Sequence, residues 1–141
     1  MKEYVTSSTI AASPERVWAV LADAESYSQW NPEIIGITGH FARDARIGAK
    51  VRLGDGAVRS VSQRVVEFDP PRRMTWVGGL PLGLFVGRRT FTVAAGPNGA
   101  EFQMHLHMSG PLSGMILKSV GDRQPEIDRF AAALKARAES P

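Results

Sequence analysis

Hydrophobic and polar residues alternate along most of the chain, and this period of two predicts a protein built mainly from β-strands. A first strand is predicted over Tyr4–Ala11, and β-structure resumes after Pro32. The further strands are predicted over Glu33–Gly39, Lys50–Gly54, Ala57–Phe68, Arg73–Gly78, Arg88–Ala95 and Ala100–Ser109, with Gly79–Gly87 as a loop. Since consecutive strands are joined by short turns, we expect one curved, seven-stranded antiparallel sheet.

The rest of the pattern has helical spacing. Ser13 is a suitable N-cap and Pro14 suits a first helical turn, so a helix is predicted to begin there. A second short helix is expected over Glu25–Trp30. From residue 112 onward the chain is predicted to be helical, and Gly121 and Pro125 should kink or split this segment. We therefore predict an α+β fold, organised as one domain over residues 1–141.

Alternation also assigns the two faces of each strand, because successive side chains point to opposite sides. In the last strand, Phe102, Met104, Leu106 and Met108 share one face, while His105 and His107 share the other. The apolar set is expected to face the C-terminal helix. The inner set of the other strands is predicted to be Arg89, Phe91 and Val93, then Met74, Trp76 and Gly78, then Val61, Gln63 and Val65.

The two histidines raise the question of a metal site, because a strand places both rings of an H-x-H pair on one face. Such a site usually needs a third ligand, and His40 is the only other histidine. We predict that His105 and His107 lie on the solvated face, with no metal and no cofactor. Cysteine is absent, which excludes thiol catalysis and disulfides.

Composition and charge limit the classes of partner that the protein is expected to bind. The chain is 43% hydrophobic and 22% charged, with a net charge of +3, and its basic residues occur in scattered pairs such as Arg72–Arg73. A nucleic-acid partner needs clustered basic residues, so none is expected. No run of residues has the length of a membrane span, and the first ten residues lack the apolar core of a signal peptide. We expect a cytoplasmic protein without stable membrane insertion.

Several stretches together carry a family resemblance. They are "SPERVWAVLADAESYSQWNP", "PPRRMTW", "GLFVGRRTFTV", "FQMHLHMSG" and a last helix that ends in "ALKARAE". In this order the chain resembles the START-like helix-grip (SRPBCC) superfamily, and its polyketide cyclase/dehydrase-like and lipid-transport-like branch in particular. The resemblance covers essentially the whole chain. It implies a sheet that grips a long C-terminal helix and leaves a deep, mainly apolar cavity, in which members bind lipids, sterols or polyketides and a minority catalyse cyclisation or dehydration.

The predicted ligand-binding residues are the inner-face side chains and those of the helices that face them. They are Trp30, Gln63, Met74, Trp76, Arg89, Phe91, Met104, Leu106, Met108, Ile116 and Phe130. Arg89 could hold a carboxylate or phosphate group at the cavity mouth, or bend out to solvent beside Arg88. Arg123 is a weaker candidate. The predicted inner set contains no carboxylate, so no catalytic residue is assigned.

Three functions remain open from the sequence. The first is binding of a small hydrophobic ligand without catalysis, and the second is a polyketide cyclase or aromatase that uses the same cavity. The third is a co-chaperone-like or toxin-like interaction module, for which the loop "GGLPLGLFVG" (78–87) is the candidate surface. A monomer or a homodimer is expected, and strands 1 and 7, as predicted sheet edges, could pair in a dimer.

Overall fold

Seven strands form one antiparallel sheet in the computed structural model, which describes residues 1–140. Their bounds are β1 Lys2–Ile10, β2 Ile34–Thr38, β3 Arg46–Arg52, β4 Val58–Asp69, β5 Arg73–Leu80, β6 Phe85–Gly96 and β7 Gly99–Ser109. Across the sheet the order is β1-β7-β6-β5-β4-β3-β2. The prediction that strand 7 is an edge is wrong, because β7 pairs with both β1 and β6. The edges are β1 and β2.

The helices begin and end where local signals place them. Helix α1 covers Pro14–Ala22, and the Ser13 Oγ accepts the Arg16 N–H at 3.1 Å, so the predicted N-cap is confirmed. A 3₁₀ turn, Ala24–Ser26, leads into the short helix α2, Tyr27–Trp30. The C-terminal segment is split, as predicted, into α3, Ser113–Val120, and α4, Gln124–Glu139. Among the described residues, no helix is long and apolar enough to cross a membrane.

The hairpin between β5 and β6 differs from its prediction as a loop. Gly79 pairs with Val86 and Leu80 with Phe85, so only residues 81–84 connect the two strands. Gly79 has a φ of +145°, and a Cβ there would lie 2.0 Å from the Phe85 carbonyl oxygen. The glycines that suggested a loop therefore serve the close approach of two paired strands.

A layer of aromatic side chains fills the space between the sheet and α4. Phe130 of α4 is fully buried, and its ring lies against the rings of Tyr27, Trp30, Phe91 and Phe102, with centroid distances of 5.7 to 6.4 Å. Such tilted and stacked contacts add to the stabilisation from apolar burial. This half of the inner face is a packed core, so open space is left under α3 rather than under α4.

Candidate ligand-binding cavity

A cavity of about 410 Å³ lies between the inner face of the sheet and α3. This volume is within the range of about 300–1,000 Å³ that small-molecule sites occupy. Apolar side chains from the strands and from α3 form most of its wall; they are Val51, Leu53, Val61, Leu80, Phe85, Leu106, Met108, Ile116 and Val120. Polar side chains contribute Gln63, Arg89 and Arg123 at the inner wall, and Arg59 and Ser62 nearer to solvent.

Helix α3 covers this cavity without packing fully against the sheet. Its apolar residues Ile116, Leu117 and Val120 are only half-buried, and no apolar side chain of α3 is fully buried. Contacts at its two ends hold the helix in place. The Leu112 N–H donates to the Leu84 carbonyl at 2.9 Å, and Arg59 Nη2 donates to Ser119 Oγ at 3.2 Å. The helix thus spans the cavity as a tethered cover.

A buried charge cluster lies at the inner end of the cavity. Arg89 holds the carboxylate of Glu33 with two hydrogen bonds, of 2.7 and 2.8 Å, in a bidentate arrangement. Arg123 Nη2 donates a third, of 2.7 Å, to Glu33 Oε2. The Glu33 side chain is completely buried, and those of Arg89 and Arg123 are 11% and 3% exposed. The three charges therefore interact with little exposure to solvent.

Local structure brings Glu33 into this position. The Asn31 side chain follows α2 and accepts the backbone N–H groups of Glu33 and Ile34 at 3.0 and 2.8 Å. The Glu33 carbonyl accepts the Arg52 N–H at 2.8 Å, which fixes the same residue to β3. Together these bonds aim the Glu33 side chain at the inside of the fold.

The ionisation of Glu33 follows from its partners. Burial by itself raises the pKa of a carboxyl group, but the charges and hydrogen bonds of Arg89 and Arg123 outweigh it and hold the Glu33 pKa below its ordinary value. The pKa of Arg89 is raised in turn. Burial by itself lowers the pKa of a guanidinium group, but the charge and hydrogen bonds of the Glu33 carboxylate outweigh this effect. Near neutral pH the cluster holds one carboxylate and two guanidinium groups.

The residues predicted from sequence fall into two groups. Gln63, Arg89, Leu106, Met108 and Ile116 lie on the cavity wall. The remaining predicted residues are part of the aromatic and methionine core, outside the wall; they are Trp30, Met74, Trp76, Phe91, Met104 and Phe130. These six side chains do not border the cavity, because α4 and its neighbouring rings cover that part of the inner face. Ligand contact stays a prediction for both groups.

The inner carboxylate was missed in the sequence. Alternation predicts Glu33 as the first residue of a strand and an inner set free of acids, yet Glu33 is 1% exposed. The alternative in which Arg89 bends out to solvent is wrong, because its guanidinium faces inward to Glu33. Arg123, ranked as the weaker candidate, joins the same cluster. An inward arginine on a strand was the one available signal that a buried counter-charge must exist.

The histidine pair lies on the other side of the sheet, as predicted. His105 and His107 are both partly exposed, and their Nε2 atoms are 3.5 and 3.6 Å from the Glu3 carboxylate on β1. Neither residue borders the cavity. The Tyr27 hydroxyl donates to the Leu21 carbonyl inside the core.

The tip of the β5–β6 hairpin forms one rim of the cavity. Leu80 and Leu84 are 43% and 40% exposed, and Leu82 is 98% exposed with a φ of +60°. The tip is fastened to the residue before α3 by the Leu112 N–H, which donates to the Leu84 carbonyl, and the close approach there leaves no room for a Cβ on Gly110. The hairpin thus contributes the apolar side chains of Leu80 and Phe85 to the edge of the cavity, next to the polar side chains of Arg59 and Ser62.

The sequence and the structure were compared with known families, curated proteins and solved structures. The family model described as polyketide cyclase / dehydrase and lipid transport matches residues 1–139. No curated protein sequence matches the chain. A START superfamily protein from Mycobacterium smegmatis shares 22% identity with a TM-score of 0.73, and the match covers 97% of each chain.

Other solved structures have the same fold at lower identity. A hypothetical protein from Helicobacter pylori has a TM-score of 0.78 at 16% identity, over 97% of this chain and 88% of that one. A protein from Mesorhizobium loti has a TM-score of 0.72 at 18% identity, over 96% of this chain and 95% of that one. At these identities the likeness concerns the fold, and the predicted START-like helix-grip fold is confirmed.

Proposed function

Because the chain belongs to the polyketide cyclase/dehydrase and lipid transport family, we propose that it binds a small hydrophobic molecule in the cavity beneath α3. The bound molecule would be a lipid, a polyketide or an aromatic compound of a size that fits about 410 Å³. The family supports hydrophobic ligand binding in general, and the choice of this cavity rests on the geometry of the wall.

The observation that carries the proposal is the half-buried apolar face of α3. Ile116 and Val120 face a space bordered by Leu106 and Met108 rather than a packed core. A ligand in that space would remove these side chains from water, and each buried CH₂ group is worth about 0.8 kcal/mol. Met108, with its flexible and polarisable thioether, suits a wall that adapts to different shapes.

The charge cluster favours binding over acid–base catalysis. A general acid or base works best with a pKa near the working pH, whereas Glu33 is held ionised by two arginines that occupy both of its oxygens. Glu33 therefore serves as a counter-ion that positions Arg89 and Arg123. The cyclase alternative would have to rely on the shape of the cavity and on Gln63 and the two arginines.

A matched pair of tryptophan variants tests the cavity directly. Met108→Trp should fill the space under α3 with an indole ring and weaken the binding of dodecanol, a neutral apolar probe, at least about tenfold. Met115→Trp is the control, because Met115 lies on α3 but is 61% exposed and does not line the cavity. Isothermal titration calorimetry and the ligand-induced rise in Tm measure the two affinities.

Two results would contradict the proposal. One is the absence of any Tm rise in the native protein with dodecanol, cholesterol or an aromatic polyketide. The other is equal loss of dodecanol binding in both tryptophan variants, which would place the ligand outside the cavity. The expected cytoplasmic location, the single-domain organisation and the monomeric or homodimeric state remain further proposals that these measurements do not address.

A further inference from the structure

The charge cluster beside the cavity carries one positive charge in excess. Arg89 and Arg123 each contribute a guanidinium group, and Glu33 contributes the only carboxylate that pairs with them among residues 1–140. A buried charge without a counter-ion is costly, so natural interiors pair such groups. The excess positive charge therefore lacks the counter-ion that a buried cation usually has.

The excess can be located on Arg123. Both Nη atoms of Arg89 donate to Glu33, and Arg123 uses its Nη2 in the same way. The Arg123 Nη1 is buried and has no hydrogen-bond partner in the described part of the chain. Leaving such a donor unsatisfied costs stability, and a donor on a charged group costs more than a neutral one.

Among residues 1–140, no carboxylate other than that of Glu33 forms an ion pair with Arg123. Glu126 is the nearest buried acid along α4. Its Oε1 atom lies 3.7 Å from Arg129 Nη2, and its Oε2 atom is buried without a hydrogen-bond partner and makes no ion pair with Arg123. Glu33 already accepts three hydrogen bonds. Residues 1–140 thus leave Arg123 Nη1 without an acceptor, and a group from outside the chain can supply one.

The position of Arg123 suits a ligand with two chemically different ends. Arg123 and Arg89 border the same cavity as Leu106, Met108, Ile116 and Val120. A molecule that enters beneath α3 meets apolar walls along its length and a cationic donor at the inner end. A single negative charge on the ligand would balance the cluster, whereas a dianion would reverse its sign.

We propose that the cavity selects hydrophobic monocarboxylates, whose carboxylate accepts a hydrogen bond from Arg123 Nη1 and whose apolar body lies beneath α3. The proposal rests on the hydrophobic-ligand function proposed above and names the ligand class for that cavity. Glu33 and Arg89 act as positioning residues that hold Arg123 at the inner wall. An aliphatic fatty acid and an aromatic polyketide acid share this chemistry.

Selectivity for the carboxylate is measured with matched ligands at a pH where the acid is ionised. Native protein should bind dodecanoate at least about tenfold more tightly than dodecanol, because a charge-assisted hydrogen bond in a water-poor site outweighs a neutral one. A second pair, 2-naphthoate and 2-naphthylmethanol, distinguishes an aromatic from an aliphatic source. Preference for the acid in either pair supports the proposal, and the stronger pair identifies the source.

The variant Arg123→Met tests which residue supplies the selectivity. It leaves the bidentate Glu33–Arg89 pair intact and removes the excess charge, so we expect the acid-to-alcohol affinity ratio to fall to about one while dodecanol still binds. Arg129→Met is the matched control, since Arg129 lies on α4, the helix that Arg123 precedes, but its side chain is 57% exposed. This control should retain the native ratio.

The outcomes separate the two proposals. If acid and alcohol bind native protein equally in both pairs, or if Arg123→Met keeps the preference, the carboxylate proposal is overturned while the hydrophobic cavity stands. If neither member of either pair binds native protein, both proposals fail. Should Arg123→Met not fold, the comparison of acid, alcohol and methyl ester in native protein decides the question on its own.

Discussion

Glu33→Gln is expected to lower the free energy of unfolding by about 3–5 kcal/mol, the cost of removing one partner from a buried ion pair. Gln has nearly the same shape as Glu, so the loss would come from charge rather than from packing. The substitution leaves Arg89 and Arg123 as two buried cations with a neutral amide between them. Urea unfolding followed by circular dichroism measures the difference.

Glu67→Gln is the matched control for this prediction. Glu67 also pairs with an arginine at 2.7 Å, but the side chains of Arg73 and Glu67 are 49% and 45% exposed. Exposed pairs of this kind contribute at most about 1 kcal/mol, so this control should unfold almost as the native protein does. Equal stabilities of the two variants would show that the Glu33 cluster is not desolvated.

The difference in stability between native protein and Glu33→Gln depends on pH, and the sign of this dependence follows from the Glu33 pKa. Because the pKa of Glu33 is lower in the folded state than in the unfolded chain, the stabilisation is complete above the ordinary Glu pKa of about 4.3. It is lost as the pH falls through the folded-state pKa. The stability of Glu33→Gln should lack this loss, so the gap between native protein and variant should narrow in acid. A constant gap across that range would contradict the assignment.

Much of the fold follows from local sequence signals. Alternation assigns Phe102, Met104 and Leu106 to the inner face, and each is at most 4% exposed. Ser13 marks the start of α1, and Gly121, with a φ of +77°, separates α3 from α4. These features depend on residues that are close in sequence, so local sequence patterns predict them.

Features that depend on distant pairing were not predictable in the same way. The pairing of β1 with β7 joins the two ends of the β-rich region and decides which strands are edges. Hydrogen bonds extend β5 beyond its predicted end through Gly79 and Leu80 and start β6 early, at Phe85, where side-chain alternation gives no signal. Strand pairing uses backbone groups, so a glycine-rich stretch can be part of a sheet without a visible pattern.

The candidate site shows the same division. The inward direction of Arg89 follows from alternation. Its partner Glu33, however, lies 56 positions away in the sequence, and Arg123, which binds the same carboxylate, lies 90 positions from Glu33. Alternation also identifies an inner face without telling which part of it α4 fills and which part α3 leaves open. For this reason Phe130 and Met108 were both predicted to bind ligand, although only Met108 borders the cavity.

Phe130→Ala is expected to destabilise the protein by about 3–5 kcal/mol, because it removes a fully buried ring and leaves a void in the core. The rings of Tyr27, Trp30, Phe91 and Phe102 all lose a neighbour. Rigid rings on separate elements close such a void only partly, so the loss should fall within the range for large-to-small core changes. Urea unfolding again provides the measurement.

Met108→Ala supplies the contrast, since its side chain faces existing space rather than a packed layer. Truncation there should cost less than about 2 kcal/mol of stability, below the usual cost for a fully packed methionine, while it weakens dodecanol binding. A stability loss at Met108 as large as that at Phe130 would mean that the cavity wall is part of the core. Weakened dodecanol binding at Phe130 without a stability loss would extend the ligand site into the aromatic layer. We expect Phe130→Ala to lose stability and Met108→Ala to lose affinity for dodecanol. This contrast would distinguish a ligand-binding cavity beside a packed core from a packing defect that binds nothing.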